Sequence, residues 1–193
     1  MNRGLRPRGI RRSPMPTSRA EMEHTMSETF LLGCNYWASN AGADMWRCWD
    51  KNAVEEDLRT LKENGIEILR IFPNWRDFQP VEQLYGSSGQ PRQLCLAGDS
   101  RPANPYYLDE RMLSRFQDFC ALAQKYGFRL IVGLVTGWMS GRLYVPPALH
   151  GKNVFRDPLA LKLQQMLIKG IVARFRGQNC IYAWGLGNEC NCM

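Results

Sequence analysis

Histidine is scarce in this chain: His24 and His150 are the only two in 193 residues. Cys190 and Cys192 have no second cysteine pair at zinc spacing either, so a zinc centre lacks its donors and no metal is expected. No apolar run reaches the roughly eighteen residues that a membrane span needs. The longest candidate, Leu130–Val135, is strand-sized, and no membrane partner is expected. The first residues carry arginine without an apolar segment after it, which excludes a secretory signal. A dinucleotide site calls for Gly-x-Gly-x-x-Gly between strand and helix; here Gly185 and Gly187 are followed by Cys190, and no cofactor is expected. A strong excess of one charge is also missing from the body of the chain. Six arginines against Glu21 and Glu23 in residues 1–25 carry much of the net +7, and nineteen Lys and Arg face sixteen Asp and Glu thereafter. That leaves no basic stripe for nucleic acid.

What is present is ordinary for a globular chain: 45 % hydrophobic and 22 % charged residues. The length points to one domain. Seven cysteines, at 34, 48, 95, 120, 180, 190 and 192, cannot all pair. Several sit in apolar stretches, where a free cysteine acts as a small hydrophobe. Reduced thiols and a cytoplasmic location are the expectation. Residues 1–25 read as a basic, disordered leader, either transit-like or an upstream extension, since Met26-Ser-Glu-Thr-Phe30 resembles a natural start. The folded part is then 26–193.

Strands and amphipathic helices alternate along that part. Phe30–Trp37 reads as a strand. Asn52 and Glu55 resemble a capping box, Val54, Leu58 and Leu61 share a helical face, and Gly65 suits the left-handed position after it. Ile66–Phe72 follows as a strand. Asp109 caps a second helix with Leu113, Phe116, Cys120 and Ala123 on one face; Gly127 ends it and Phe128–Val135 is a buried-type strand. Asp157-Pro158 opens a third helix, with Leu163, Leu167 and Ile171 inward, and Cys180–Leu186 is a fourth strand. Apolar strands alternating with helices imply an α/β fold with parallel pairing. The helix-to-strand connections are nearly single glycines, whereas the strand-to-helix segments 73–108 and 136–156 are long and carry Trp, Tyr, Arg and Pro. They leave the carboxyl ends of the strands, where parallel α/β proteins place their sites.

The sharpest segment is Ile181-Tyr-Ala-Trp-Gly-Leu-Gly-Asn-Glu189, an Asn-Glu pair delivered by a strand end. A carboxyl on a partly dry aromatic floor can have its pKa raised and serve as a general acid, and the neighbouring amide can hold a hydroxyl. The plainer alternative is that Asn188 caps a helix that Glu189 begins. Tyr36, Trp37, Trp46, Trp49, Trp75 and Trp138 lie at or after strand ends, where aromatic planes can stack on the apolar faces of sugar rings; core packing is the competing use. Arg70 sits in an apolar strand, where an unpaired charge is costly.

Trp184-Gly-Leu-Gly-Asn188-Glu189 resembles the fourth-strand signature of clan A glycoside hydrolases, and most closely the family-five cellulase and mannanase group. Gly33-Cys-Asn-Tyr-Trp37, Leu69-Arg70-Ile-Phe72 and Leu134-Val-Thr-Gly-Trp138 match its first, second and third strands in order. Thr136-Gly137-Trp138 departs from the pattern, because many members carry a histidine there. The resemblance implies a (β/α)8 TIM barrel of which about the first four strands and three helices are present. It implies a retaining hydrolase of β-linked glucosides or mannosides. Glu189 would be the acid/base, Asn188 would bind the 2-hydroxyl, Arg70 would support the nucleophile, and Tyr36, Trp37, Trp75 and Trp138 would help hold the substrate. In that family the nucleophile is a glutamate ending strand seven, and no residue here corresponds to it. A barrel typically takes about 250 residues. The expectation is therefore a truncated chain, by itself inactive, with open sheet edges through which it self-associates. A non-catalytic carbohydrate-binding or scaffold protein on the same fold is the alternative.

Overall fold

Three aspartates fix where the long helices begin. Asp50, Asp109 and Asp157 stand in extended backbone, and each carboxylate accepts hydrogen bonds from two N–H groups ahead of it. Those donors, of Asn52 and Ala53, of Arg111 and Met112, and of Leu159 and Ala160, would otherwise have no partner within the helix. The first cap corrects the expectation at Asn52. Asp50 reaches two residues forward, so Asn52 is already helical and its N–H is one of the donors being satisfied.

A computed structural model describes residues 30–98 and 104–192. The expected leader, 1–25, lies outside the described residues. In chain order the elements are β1 (Gly33–Asn35), α1 (Lys51–Glu63), β2 (Ile68–Ile71), α2 (Trp75–Phe78), β3 (Val81–Tyr85), β4 (Pro91–Leu96), α3 (Glu110–Lys125), β5 (Arg129–Val135), β6 (Trp138–Met139), β7 (Arg142–Leu143), α4 (Pro158–Phe175) and β8 (Ile181–Gly187). Gly65 and Gly127 follow α1 and α3 with φ of +80° and +69°, the left-handed conformation that lets each helix turn directly into a strand.

Four strands form one parallel sheet in the order β1-β2-β5-β8. This is a partial (β/α) arrangement; four parallel strands and the three capped helices are what the described residues supply. The count of four strands needs one correction. The long strand-to-helix segments hold an antiparallel hairpin, β3–β4, the short helix α2, and a second small hairpin, β6–β7. Their alternation is short and mixed in polarity, so it leaves a weak signal. Among the described residues no helix is long and apolar enough to cross a membrane.

Strand alternation decides which side chains go where. Leu69, Ile71, Leu130, Val132 and Leu134 are all buried in one core with Val54 and Leu58 of α1, Phe116 and Phe119 of α3, and Leu163, Leu167 and Ile171 of α4. The register sets Asn35 beside Arg70, and Arg70 beside Ile131. These three therefore share the opposite face of the sheet, away from the helices.

Candidate active site

Strand β2 carries Arg70 on that open face, and β8 runs into Asn188 and Glu189 at its carboxyl end. The two strands are separated by β5, yet their side chains meet. Arg70 Nη1 donates to Asn188 Oδ1 at 3.1 Å, and Nη2 donates to the Gly187 carbonyl at 3.4 Å. Asn188 is 8 % exposed, and its Nδ2 donates to the Trp138 carbonyl at 3.1 Å. One amide thus joins the ends of the second and fourth parallel strands to the segment leaving the third.

The guanidinium of Arg70 also lies 4.5 Å from the centre of the Phe72 ring. Phe72 is two residues further along the chain, just past the end of β2, stacks on Trp37 at 5.3 Å and 19°, and its carbonyl accepts from Trp46 Nε1 at 2.8 Å. A side chain at Gly133 would press into this arrangement, because its Cβ would come within 3.1 Å of Phe72 Cδ1. Among the described residues Arg70 makes no ion pair. Its partners are an amide oxygen, a carbonyl and a π face, all electron-rich and neutral, so the full positive charge stays available to an anion.

Glu189 is exposed, and among the described residues its carboxylate has no hydrogen-bond partner. Its φ of +45° is left-handed, unusual for a residue with a side chain and a form of local strain that clusters at functional positions. Its carbonyl accepts from Cys192 N at 2.9 Å, closing a short turn after the strand. Arg70 and Asn188 are brought together; Glu189 follows at once, but among the described residues no hydrogen bond or ion pair joins it to Arg70.

The aromatic residues divide. Trp37 is half-buried beside Phe72, and Trp138 is half-buried on β6, reached by Asn188 through its backbone. Two of the expected substrate-binding residues are corrected. Trp75 is fully buried on α2, with Nε1 donating to Gln79 Oε1 at 2.8 Å, because the chain leaves the strand at Pro73 and turns the ring into the core. Tyr36 is 4 % exposed: it follows Asn35 in a strand and so faces the helices, packing on Phe119 and donating to Asp57 Oδ2 at 2.9 Å. Burial, then the Asp57 charge and hydrogen bond, push its phenol well above the usual tyrosine value. Trp46 is likewise fully buried, and Trp49 stacks on it. Phe72, Gly133 and Asn35 were not singled out as site residues from the sequence. Phe72 alone carries a local signal, two residues beyond Arg70; Asn35 and Gly133 are placed by the register between strands. Among the described residues no group of three His, Cys, Asp or Glu is placed to hold a metal ion.

No protein-family model matches the chain. Its curated relatives include a probable mannan endo-1,4-β-mannosidase A of Aspergillus flavus, 29 % identical over 154 residues, spanning 77 % of this chain and 38 % of that protein. A mannan endo-1,4-β-mannosidase F of Aspergillus clavatus is 29 % identical over 136 residues, 68 % of this chain and 30 % of that one. Among solved structures, an exo-β-1,4-mannosidase from Opitutaceae bacterium strain TAV5 superposes with a TM-score of 0.68 at 26 % identity, covering 84 % of this chain and 25 % of that chain. A GH5_18 protein from Bifidobacterium longum subsp. infantis shares the fold with a TM-score of 0.67 at 22 % identity, over 84 % of this chain and 34 % of its own. The chain spans under two-fifths of the curated relatives it matches. Over that part, the resemblance to family-five glycoside hydrolases holds, and by ancestry the chain is related to glycosidases that hydrolyse O-glycosyl bonds.

Proposed function

We propose that these residues form the acid/base side of a retaining glycoside hydrolase acting on β-mannosides. The observation that carries this reading is Asn188, tied to Arg70 and to the Trp138 carbonyl immediately before Glu189, in a chain whose relatives are named mannosidases. Glu189 protonates the leaving oxygen and later deprotonates the attacking water, which is the double duty of the acid/base in retaining hydrolysis. The Asn188 amide has two N–H donors. One is spent on Trp138, and the other is left for a substrate 2-hydroxyl, a bond that strengthens as the transition state forms. Arg70 stabilises an ionised nucleophile. Retaining chemistry needs that second carboxyl group about 5–5.5 Å from the first. None of these residues takes that role.

A non-catalytic, carbohydrate-binding role gains from one fact: among the described residues no carboxylate pairs with Arg70. One experiment separates the two. The isotope-labelled chain is titrated with mannotriose while the amides of Gly187, Asn188 and Glu189 are followed by NMR, and hydrolysis of an aryl β-mannoside is assayed alongside. Saturable shifts at 187–189 without turnover are expected of the chain alone. Turnover restored by a second polypeptide or by small anions such as azide or formate favours the hydrolase reading over a purely binding one. Absence of any shift at 187–189 overturns both.

A further inference from the structure

The long strand-to-helix segments enclose a cavity that the proposed chemistry does not use. One wall is β3, which brings Glu82, Gln83 and Tyr85; the other follows the turn Pro147–Leu149 and brings His150 and Lys152. The cavity holds about 360 Å³, within the roughly 300–1,000 Å³ of small-molecule sites. Both walls are anchored. Val81 and Leu149 are fully buried, and the N–H groups of His150 and Lys152 donate to the carbonyls of Pro147 and Leu149 at 3.1 and 3.0 Å. Lys152 Nζ donates to Asp157 Oδ2, the cap of α4, at 3.2 Å. Gln83 Nε2 donates to the carbonyls of Leu84 at 3.3 Å and Gln93 at 3.1 Å, which fixes the amide and leaves Oε1 as an acceptor. The hairpin's register shifts between Leu84 and Tyr85, an irregularity of the kind that re-aims a side chain, and Tyr85 is 61 % exposed. Among the described residues the side chains of Glu82, Tyr85 and His150 have no hydrogen-bond or ion-pair partner.

We propose that this cavity is a separate binding site for a neutral β-linked oligosaccharide, holding sugar units beyond those at Glu189. A pyranose ring has an apolar C–H face and a rim of hydroxyls. The Tyr85 ring offers a plane to the first. For the second, the Glu82 carboxylate and Gln83 Oε1 accept, Lys152 donates, and the His150 imidazole can do either. The walls carry one carboxylate and one ammonium, so neither an anion nor a cation meets a concentration of opposite charge. Position extends the argument. The hairpin follows β2 and the turn follows β5, so both walls are built from segments that leave the carboxyl ends of the strands, the end that also carries Asn188. That the sugar is mannose-based rests on the hydrolase reading above; that it is a neutral sugar rests on the cavity alone.

The test titrates the isotope-labelled full chain with mannotriose and, separately, with cellotriose, following amides 82–85, 150–152 and 187–189 by NMR. The expected result is saturable shifts at both 82–85 and 150–152 with mannotriose. Tyr85→Ala should weaken this binding about tenfold, the scale of one lost aromatic contact, and leave the response at 187–189 unchanged. Tyr85→Phe should retain it, since the ring stays. An equal response to cellotriose supports a neutral-sugar site and detaches it from mannose. Shifts at 82–85 and 150–152 without any at 187–189 uphold this site and remove the hydrolase reading. Shifts at 187–189 alone overturn this site and leave that reading intact. Tyr182 on β8, 60 % exposed, is the control for stacking on any open ring. Equal, unsaturated shifts at Tyr85 and Tyr182 overturn the proposal as well.

Discussion

Arg70 and Asn188 lie 118 residues apart in the chain and 3.1 Å apart in the structure. The bond passes over β5, which separates their two strands in the sheet. It ties a charge that would be costly alone to the amide that immediately precedes Glu189. Hydrogen bonds to charged groups are worth about 1.5–3 kcal/mol. Asn188→Ala removes this acceptor and the donor to Trp138 together, and should destabilise the chain by roughly 1–3 kcal/mol. Urea denaturation gives the figure. A change below a few tenths would mean the bond does not form in solution.

Trp75 and Trp37 should separate sharply. Trp75 is fully buried, so Trp75→Ala should cost about 3–5 kcal/mol by leaving a cavity. Trp37 is half-buried and stacked on a single ring, so Trp37→Ala should cost roughly 1–2 kcal/mol. Mannotriose affinity, measured by NMR, should fall only in the second. Equal losses of stability would place Trp37 in the core as well.

Gly133→Ala probes the support beneath Arg70. The added methyl meets Phe72 Cδ1 at 3.1 Å, closer than ordinary packing, and Phe72 is fully buried with Met139 and Tyr144, with little room to retreat. Overpacking of this kind costs about 1–3 kcal/mol. The amides of Arg70 and Asn188 should shift in the NMR spectrum, since the ring under Arg70 has moved and Arg70 bonds Asn188. An unperturbed Asn188 amide would show that Phe72 does not position Arg70.

Acid should weaken the cap of α3. Burial alone would raise the Asp109 carboxyl, but the Arg111 side chain and the N–H groups of Arg111 and Met112 outweigh it and hold the group below its ordinary 3.8. A carboxyl lowered by folding stabilises the folded state above its unfolded pKa, and that stability is lost as pH falls through the folded value. Asp109→Ala should therefore cost about 1 kcal/mol at neutral pH. The difference from wild type should shrink as pH drops below 3.8. Denaturation midpoints across that range give the comparison; a gap that stays constant would assign the cap's effect to something other than the charge.

In any form of the protein that turns over, Glu189→Gln should lose roughly 10²–10⁴-fold on substrates with poor leaving groups, and much less on activated aryl β-mannosides. The leaving group of the latter needs little protonation. Equal losses on both would remove Glu189 from the acid/base role.

The parts of this fold that rest on local chemistry were legible in the residues. Asp109 and Asp157 with their helical faces, Gly65 and Gly127 after α1 and α3, and four apolar strands are signals confined to a few positions each. The first cap was misread because Asn52 and Asp50 are both good acceptors, and only geometry tells which one precedes the helix. For the site, Arg70 and the Asn188–Glu189 pair were legible at their strand ends, but Tyr36 was expected at the substrate although alternation from Asn35 turns it to the helices, and the register that sets Asn35 beside Arg70 is not a local signal. Trp75 was not legible either, because Pro73 ends the strand's alternation and α2 starts another. The Arg70–Asn188 bond depends on strand order, which no local pattern contains.

The short hairpin β3–β4 also bears on how the sheet assembles. β1 and β2 pair across roughly thirty-five residues, whereas β2 and β5 must find each other across about sixty. The entropy of closing a flexible loop grows as (3/2)RT ln n, so the longer closure costs about 0.5 kcal/mol more. Strands of a tight hairpin pair in microseconds, before distant contacts are made. Once β3 and β4 zip together, the chain between Val81 and Leu96 is traversed in a single step, and the gap β2 must bridge to reach β5 shortens. Slowing the hairpin, for instance with proline at Leu94, should therefore delay β2–β5 pairing while leaving β1–β2 pairing nearly untouched, an ordering that pulsed hydrogen exchange can resolve strand by strand.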